Sequence, residues 1–162
     1  MNNIDTSAYI VRISQANPTQ LVVINFELIL EFITAARGAF GTDDYITFIQ
    51  KTKSGLEQLM FSLDLSVQIS VDFNEIYSYV YQLLCNINFT SDEARAFAVL
   101  DECKEHMEVL LEGWRKAAES AEAQIEPAVA GEAPKVYTGL TYGKDGKAEE
   151  YISEDTGRGY MA

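Results

Sequence analysis

The sequence predicts an all-α protein, an antiparallel up-down four-helix bundle with a short N-terminal arm and a mostly disordered C-terminal tail. Four segments repeat apolar residues at helical spacing, and short polar connections separate them. Because short connections force neighbouring helices to run in opposite directions, an antiparallel bundle follows. The composition changes after Pro127, so the bundle is assigned to residues 17–123, the arm to 1–16 and the tail to 124–162.

The arm is apolar enough to dock but has no long apolar stripe. Its apolar residues include Tyr9, Ile10, Val11 and Ile13. Two interpretations stay open: the arm covers the second apolar stripe of the first bundle helix, described below, or it is a frayed terminus.

The first bundle helix is predicted at residues 18–40. Asn17, Pro18 and Gln20 form a capping-box start, and Gly38 and Gly41 offer places to stop. Its few polar positions fall on one narrow face, and the apolar arc spans roughly 260°, against the ~100° of an ordinary surface helix. The helix therefore has two apolar stripes to bury. The first stripe is Leu21, Ile24, Leu28, Phe32, Ala35 and Ala39, and the second stripe is Val22, Phe26, Ile29, Ile33, Ala36 and Phe40.

The remaining helices are predicted at residues 43–65, 71–88 and 91–123. In the second helix the core stripe is Tyr45, Ile49, Thr52, Leu56, Leu59 and Leu63, with the spacing of a left-handed bundle seam. In the third it is Phe73, Ile76, Tyr77, Val80, Leu83, Leu84 and Ile87. In the fourth, which starts at a Thr90–Glu93 capping box, it is Phe97, Leu100, Cys103, Met107, Leu110, Leu111 and Trp114.

The tail is rich in Ala, Glu, Gly and Tyr. Two β-leaning runs around a Gly-rich turn allow a local hairpin at residues 135–152, but a lone hairpin is marginal in water. We therefore expect mostly disorder there.

Charge limits the classes of partner. The chain has 25 acidic and 12 basic residues, a net charge of −13. Nucleic acids and anionic membrane surfaces demand basic residues, so both are disfavoured as partners. No secretory segment and no uncharged membrane span is apparent, because Glu27 and Glu31 interrupt the longest apolar run. We expect a soluble cytoplasmic protein.

Catalysis is not expected. His106 is the one histidine, and with Cys103 it supplies half of a metal site at most. No nucleophile with its base and no glycine-rich phosphate loop is recognisable. We predict no enzyme activity, no cofactor and no metal. The excess apolar surface of the first helix instead favours binding of an amphipathic helix in a groove.

An ordered set of motifs spans about residues 5 to 120. The motifs are Tyr9 and Val11, Ala16–Pro18, Leu21–Val22, Phe26–Glu27, Phe32–Ala36, Leu59 with Leu63–Asp64, Ile76–Tyr79, Asn86 or Asn88, and Trp114. In this set the chain resembles the flagellar secretion chaperones that hold flagellin before export, the FliS family.

The resemblance implies a helical bundle with an N-terminal cap that binds the C-terminal segment of flagellin. It implies that binding prevents premature polymerisation and delivers flagellin to the flagellar type III export apparatus. An export-gate component or an anti-sigma factor is implied as a further partner. The expected partner-binding residues are Phe26, Ile29, Ile33 and Phe40 as a groove, with Tyr9 and Ile10 as a displaceable cover.

Two residues depart from the family pattern, Asn25 within the apolar arc and Leu28 where a small residue is common. The alternative function is a helical-bundle adaptor or homodimeric structural protein unrelated to flagella, with the second stripe as its dimer interface. As an export chaperone the isolated protein is expected to be a monomer or a weak homodimer, whereas the alternative predicts a dimer that does not depend on concentration.

Overall fold

Five helices make up the regular structure of the described residues. The computed structural model describes residues 4–129, with side chains as far as residue 123. The helices are α1 (Thr6–Gln15), α2 (Pro18–Gly38), α3 (Asp43–Phe61), α4 (Gln68–Ile87) and α5 (Glu93–Val129). Every regular element in this range is helical, which confirms the all-α prediction. The hairpin predicted at 135–152 lies outside the described residues.

The chain divides into two units, residues 1–118 and 119–162. The first unit contains α1 to α4 and most of α5. The end of α5, residues 119–129, belongs to the second unit and passes Pro127, where the sequence predicted a stop. All contacts described below lie in the first unit.

The N-terminal arm contains a helix that the periodicity did not reveal. Asp5 caps it, since Asp5 Oδ1 accepts a hydrogen bond of 3.0 Å from the Ser7 amide. None of the residues of α1 is buried. A helix that buries no face does not need a long apolar stripe. The hydrophobic periodicity of α1 in the sequence is therefore weak.

Helix α2 begins at the predicted capping box. The Asn17 amide donates to Gln20 Oε1 at 2.8 Å, and the Gln20 amide donates to Asn17 Oδ1 at 2.9 Å. Pro18 occupies the first turn, where a missing N–H costs nothing. After Gly38 the chain turns through Gly41, whose φ of 80° suits glycine.

The core is formed by one face of each of α2 to α5. The core residues of α3 include Tyr45, Ile49, Thr52, Leu56 and Leu59, all predicted from their spacing. Thr52, although polar, is fully buried and donates its hydroxyl to the Phe48 carbonyl at 2.8 Å. The largest buried side chains of the other helices are Phe26, Ile29 and Ile33, then Tyr77, Leu84 and Ile87, then Leu100 and Met107.

Helices α2 and α3 approach each other closely at Gly55. A Cβ atom there would lie 2.7 Å from Ile29 Cγ1, closer than real Cβ contacts allow. The Asn25 side chain donates to the Gly55 carbonyl at 3.2 Å. Glycine therefore sets how near these two helices can come.

Polar and aromatic contacts attach α5 to α2 and α4. Arg115 donates to Glu27 at 3.1 Å, and Arg37 pairs with Asp101. The rings of Phe73 and Trp114 lie 5.9 Å apart. The two helices that flank α5 are thus α2 and α4.

Candidate docking groove beside the first bundle helix

The second stripe of α2, predicted to line a partner groove, faces the core. Phe26, Ile29 and Ile33 are between 0% and 2% exposed. Phe40 is half-buried, with its ring 5.1 Å from Tyr45. A partner can reach the three buried residues only if helices separate.

The first stripe is the more open one. Leu21 is 40% exposed, and Leu28 and Phe32 are half-buried, although Ile24 is buried. Both stripes are similarly apolar in sequence. Packing between helices decides which stripe faces the core. Ile29 of the second stripe lies against Gly55 of α3, so α3 packs on that side of α2.

A groove lies at the exposed part of the first stripe, between the start of α2 and the end of α3. Its volume is about 420 Å³. We call it the α2–α3 groove, and its lining residues are Ile13, Pro18, Leu21, Val22, Ile24, Asn25, Leu28, Gln58, Leu59 and Ser62. Aliphatic side chains predominate, as in grooves that accept an amphipathic helix.

Helix α1 docks on α2 through its polar side. The Tyr9 hydroxyl donates to Glu31 at 2.5 Å, and Arg12 pairs with Glu27 at 2.7 Å. Ile10 and Val11 are 65% and 57% exposed. The arm therefore lies over the polar face of α2 and does not cover the second stripe as expected, because the Glu27 and Glu31 carboxylates supply its contacts.

Glu27 joins three helices. Its carboxylate accepts from Arg12 of α1 at 2.7 Å and from Arg115 of α5 at 3.1 Å. Burial alone would raise the pKa of Glu27, but these two hydrogen bonds outweigh burial and hold the pKa below its usual value. Burial and the hydrogen bond to Glu31 raise the pKa of Tyr9 to about 12, so its hydroxyl stays protonated and donates.

Exposed apolar residues continue beyond the groove from the last residue of α3, through the connection, into the first turn of α4. Phe61 is 88% exposed and directly precedes Ser62, which lines the groove. Leu65, Val67 and Ile69 follow, each 47–56% exposed. Sequence reasoning missed this extension, although its signal was present as apolar residues at the alternate positions Leu65, Val67 and Ile69, in and beside a predicted connection.

A second apolar groove lies between α4 and α5. Its volume is about 320 Å³, and it is lined by Phe73, Val109, Leu110, Gly113, Trp114 and Ala117. Val109 is 72% exposed. Three of the six lining residues, Phe73, Leu110 and Trp114, belonged to the predicted core stripes, so the groove is an opening at the edge of the core.

The residues considered for chemistry are dispersed. Cys103 is fully buried, and burial raises its pKa to about 12. His106 packs edge-on against the Tyr79 ring at 5.7 Å. Among residues 4–129 no group of three or more His, Cys, Asp or Glu side chains is placed to hold a metal ion.

One described helix, α2, is long and apolar enough to cross a membrane by length and composition alone. A core helix passes the same test, and seven of the 21 residues of α2 are buried.

The described residues thus form a helical bundle with an exposed apolar groove and an N-terminal helix docked through polar contacts. Comparison with family models defines its class: the model of the flagellar protein FliS matches residues 1–121. The chain belongs to the FliS family and is a chaperone of flagellum assembly. A search of curated proteins finds no match. The family match is an argument against the alternative of an adaptor unrelated to flagella.

Proposed function

We propose that this protein is an export chaperone of the bacterial cytoplasm that binds the C-terminal segment of flagellin. Binding prevents premature polymerisation and lets the chaperone deliver flagellin to the flagellar type III export apparatus. It acts by stoichiometric binding, without catalysis. The observation that carries the proposal is the α2–α3 groove, an apolar surface left open in a chain of the FliS family.

The groove suits the apolar face of a flagellin helix. Leu21 and Leu28 present partly exposed side chains to it. Full burial of one leucine is worth roughly 1.5–3 kcal/mol, so a few such contacts support a useful affinity. Ile13 at the end of α1 occupies one edge of the same groove in the free chain, so flagellin and α1 would compete for this surface.

The arm is proposed to move when flagellin binds. Tyr9 and Arg12 hold α1 through polar contacts that water can replace, and Ile10 is already exposed. Tyr9 would then act as the predicted displaceable cover, whereas Ile10 is exposed in the free chain and its contact with flagellin stays a prediction. Contact of flagellin with Phe26, Ile29, Ile33 and Phe40 stays a prediction, which requires α2 to part from its neighbours.

We also propose that α2 to α5 form the antiparallel up-down bundle. Support comes from the order of contacts between helices: Glu27 meets Arg115, whereas Arg37, later in α2, meets Asp101, earlier in α5. Residues 1–16, 17–123 and 124–162 remain the proposed arm, bundle and tail. A monomeric or weakly dimeric state, and an export-gate component or anti-sigma factor as further partner, belong to the same proposal.

Isothermal titration with a peptide of the flagellin C-terminal segment tests the proposal. We expect one peptide per chaperone, micromolar or tighter affinity, and a rise in helicity by circular dichroism. Leu21→Asp should abolish binding by placing a charge in the groove. Val109→Asp, at the exposed edge of the other groove, is the matched control and should bind normally. The absence of heat at micromolar concentrations would refute the assignment.

A further inference from the structure

Asn25 is a polar residue inside the apolar arc of α2. It is half-buried and lines the α2–α3 groove. Its Nδ2 atom donates a hydrogen bond of 3.2 Å to the Gly55 carbonyl of α3. Its side-chain amide therefore forms part of the groove wall at the junction of two helices.

Gly55 makes room for this amide. A Cβ atom at Gly55 would lie 3.2 Å from Asn25 Oδ1, tighter than most real contacts. The orientation of the amide is fixed by chemistry, because a backbone carbonyl only accepts and the side-chain nitrogen must face it. Asn25 is thus held in a defined position without using all of its hydrogen-bonding capacity.

The unused capacity matters when a helix occupies the groove. A primary amide offers two N–H donors and two acceptor lone pairs, and the bond to Gly55 uses one donor. Leu21, Leu28 and Leu59 are its apolar neighbours in the groove lining. A bound helix would exclude water from the amide, and an unpaired amide in such a place weakens binding.

We propose that Asn25 is a specificity-determining residue of the α2–α3 groove. It selects a partner helix whose apolar face carries a hydrogen-bonding side chain, Ser, Thr, Asn or Gln, opposite the amide. The inference rests on the proposed function, since the partner helix is taken from flagellin. A helix with a wholly apolar face leaves the amide unpaired and binds about tenfold more weakly.

A purely structural role for Asn25 has different consequences. If the amide only joined α2 to α3, Asn25→Leu would alter the unfolding temperature and shift the affinity for every partner alike. In the specificity role, Asn25→Leu alters the ratio of affinities between two partners. The ratio is therefore the quantity to measure.

The test is a titration matrix with the full chain and flagellin C-terminal peptides. In the peptides, each polar residue of the helix's apolar face is replaced by Leu in turn. We expect the wild-type chain to bind one such peptide about tenfold more weakly than the natural one, and Asn25→Leu to bind that peptide at least as well as the natural one. Asn86→Leu, exposed on α4, should keep the wild-type ratio. Asn25→Ala serves as a second variant if Asn25→Leu does not fold.

The results separate this inference from the proposed function. If the wild-type chain binds flagellin peptides but discriminates against none of the Leu replacements, Asn25 has no role in specificity. The same holds if the variants keep the wild-type ratio. If the wild-type chain binds no flagellin peptide at all, the proposed function fails, and the role of Asn25 fails with it.

Discussion

Gly55 is the residue at which α2 and α3 come together, and it offers a stability test. Gly55→Ala places a Cβ 2.7 Å from Ile29 Cγ1, which is an inner atom of a fully buried side chain. We expect a loss of about 1–3 kcal/mol in unfolding free energy from overpacking, measured by urea denaturation. The variant should also disturb the Asn25 hydrogen bond.

Gly113→Ala is the matched control for Gly55→Ala. A Cβ at Gly113 meets nothing within 4 Å. Alanine is favoured over glycine in a helix by up to ~1 kcal/mol, so this variant should be as stable as wild type or more so. Equal destabilisation by both variants would contradict the close approach at Gly55.

Glu27 should make stability depend on acid pH. Its pKa is lowered in the folded chain, because the hydrogen bonds from Arg12 and Arg115 outweigh burial. Its contribution is therefore complete above the unfolded pKa of about 4.3 and is lost as pH falls through the lower folded pKa. Since Arg12 and Arg115 are about half exposed, 47% and 54%, Glu27→Gln should cost only about 1 kcal/mol at pH 7.

Unfolding curves at several pH values check the role of Glu27. The difference between wild type and Glu27→Gln should shrink as pH falls below about 4.3. Glu105→Gln, on an exposed position of α5, is the control and should follow wild type. A difference between wild type and Glu27→Gln that stayed constant to pH 2 would show that the charge of Glu27 is not responsible.

At the scale of elements, α1 should be the least stable of the five helices. It contains no buried residue, and its contacts to α2 are polar. Segments with few apolar contacts open at low free energy. We expect amide hydrogen exchange in Thr6–Gln15 to be faster than in Pro18–Gly38, and faster still in Arg12→Ala. Equal protection of the two helices would contradict polar docking.

The helices show what periodicity can predict. The core stripe of α3 followed from spacing alone, and so did the capping box of α2 at Asn17. Periodicity could not decide which stripe of α2 faces the core, because both stripes consist of apolar residues. That choice depends on the fit of Ile29 against Gly55, a contact between positions far apart in sequence. Periodicity also missed α1, which has no buried residue and whose Ile10 and Val11 are exposed.

The sequence predicted an apolar groove on α2 but not the residues that line it. The excess apolar arc of α2 indicated an open apolar groove, and the structure has an apolar groove beside α2; that it accepts a helix stays a prediction. Its open part is lined by Leu21 and Leu28 of the first stripe, whereas Phe26 and Ile29 are core residues. The polar docking of α1 was not foreseeable, since Arg12, Glu27 and Arg115 come from three helices.

At the scale of the whole molecule, the two cysteines report whether the bundle is intact. Cys85 is exposed and Cys103 is buried, with a pKa raised to about 12 by burial. The thiolate is the reactive form, so a disulfide reagent at pH 8 should modify one thiol in the native protein and two after denaturation. Rapid modification of both in the native state would contradict the packing of α5.

The central claim is that flagellin binds in the α2–α3 groove of this FliS-family chain and displaces α1. Hydrogen–deuterium exchange of the chaperone, with and without a saturating flagellin C-terminal peptide, tests it most directly. The account predicts new protection at residues 18–28 and 58–62, together with faster exchange at residues 6–15. Unchanged exchange at 18–28 and 58–62 in the saturated complex would contradict it.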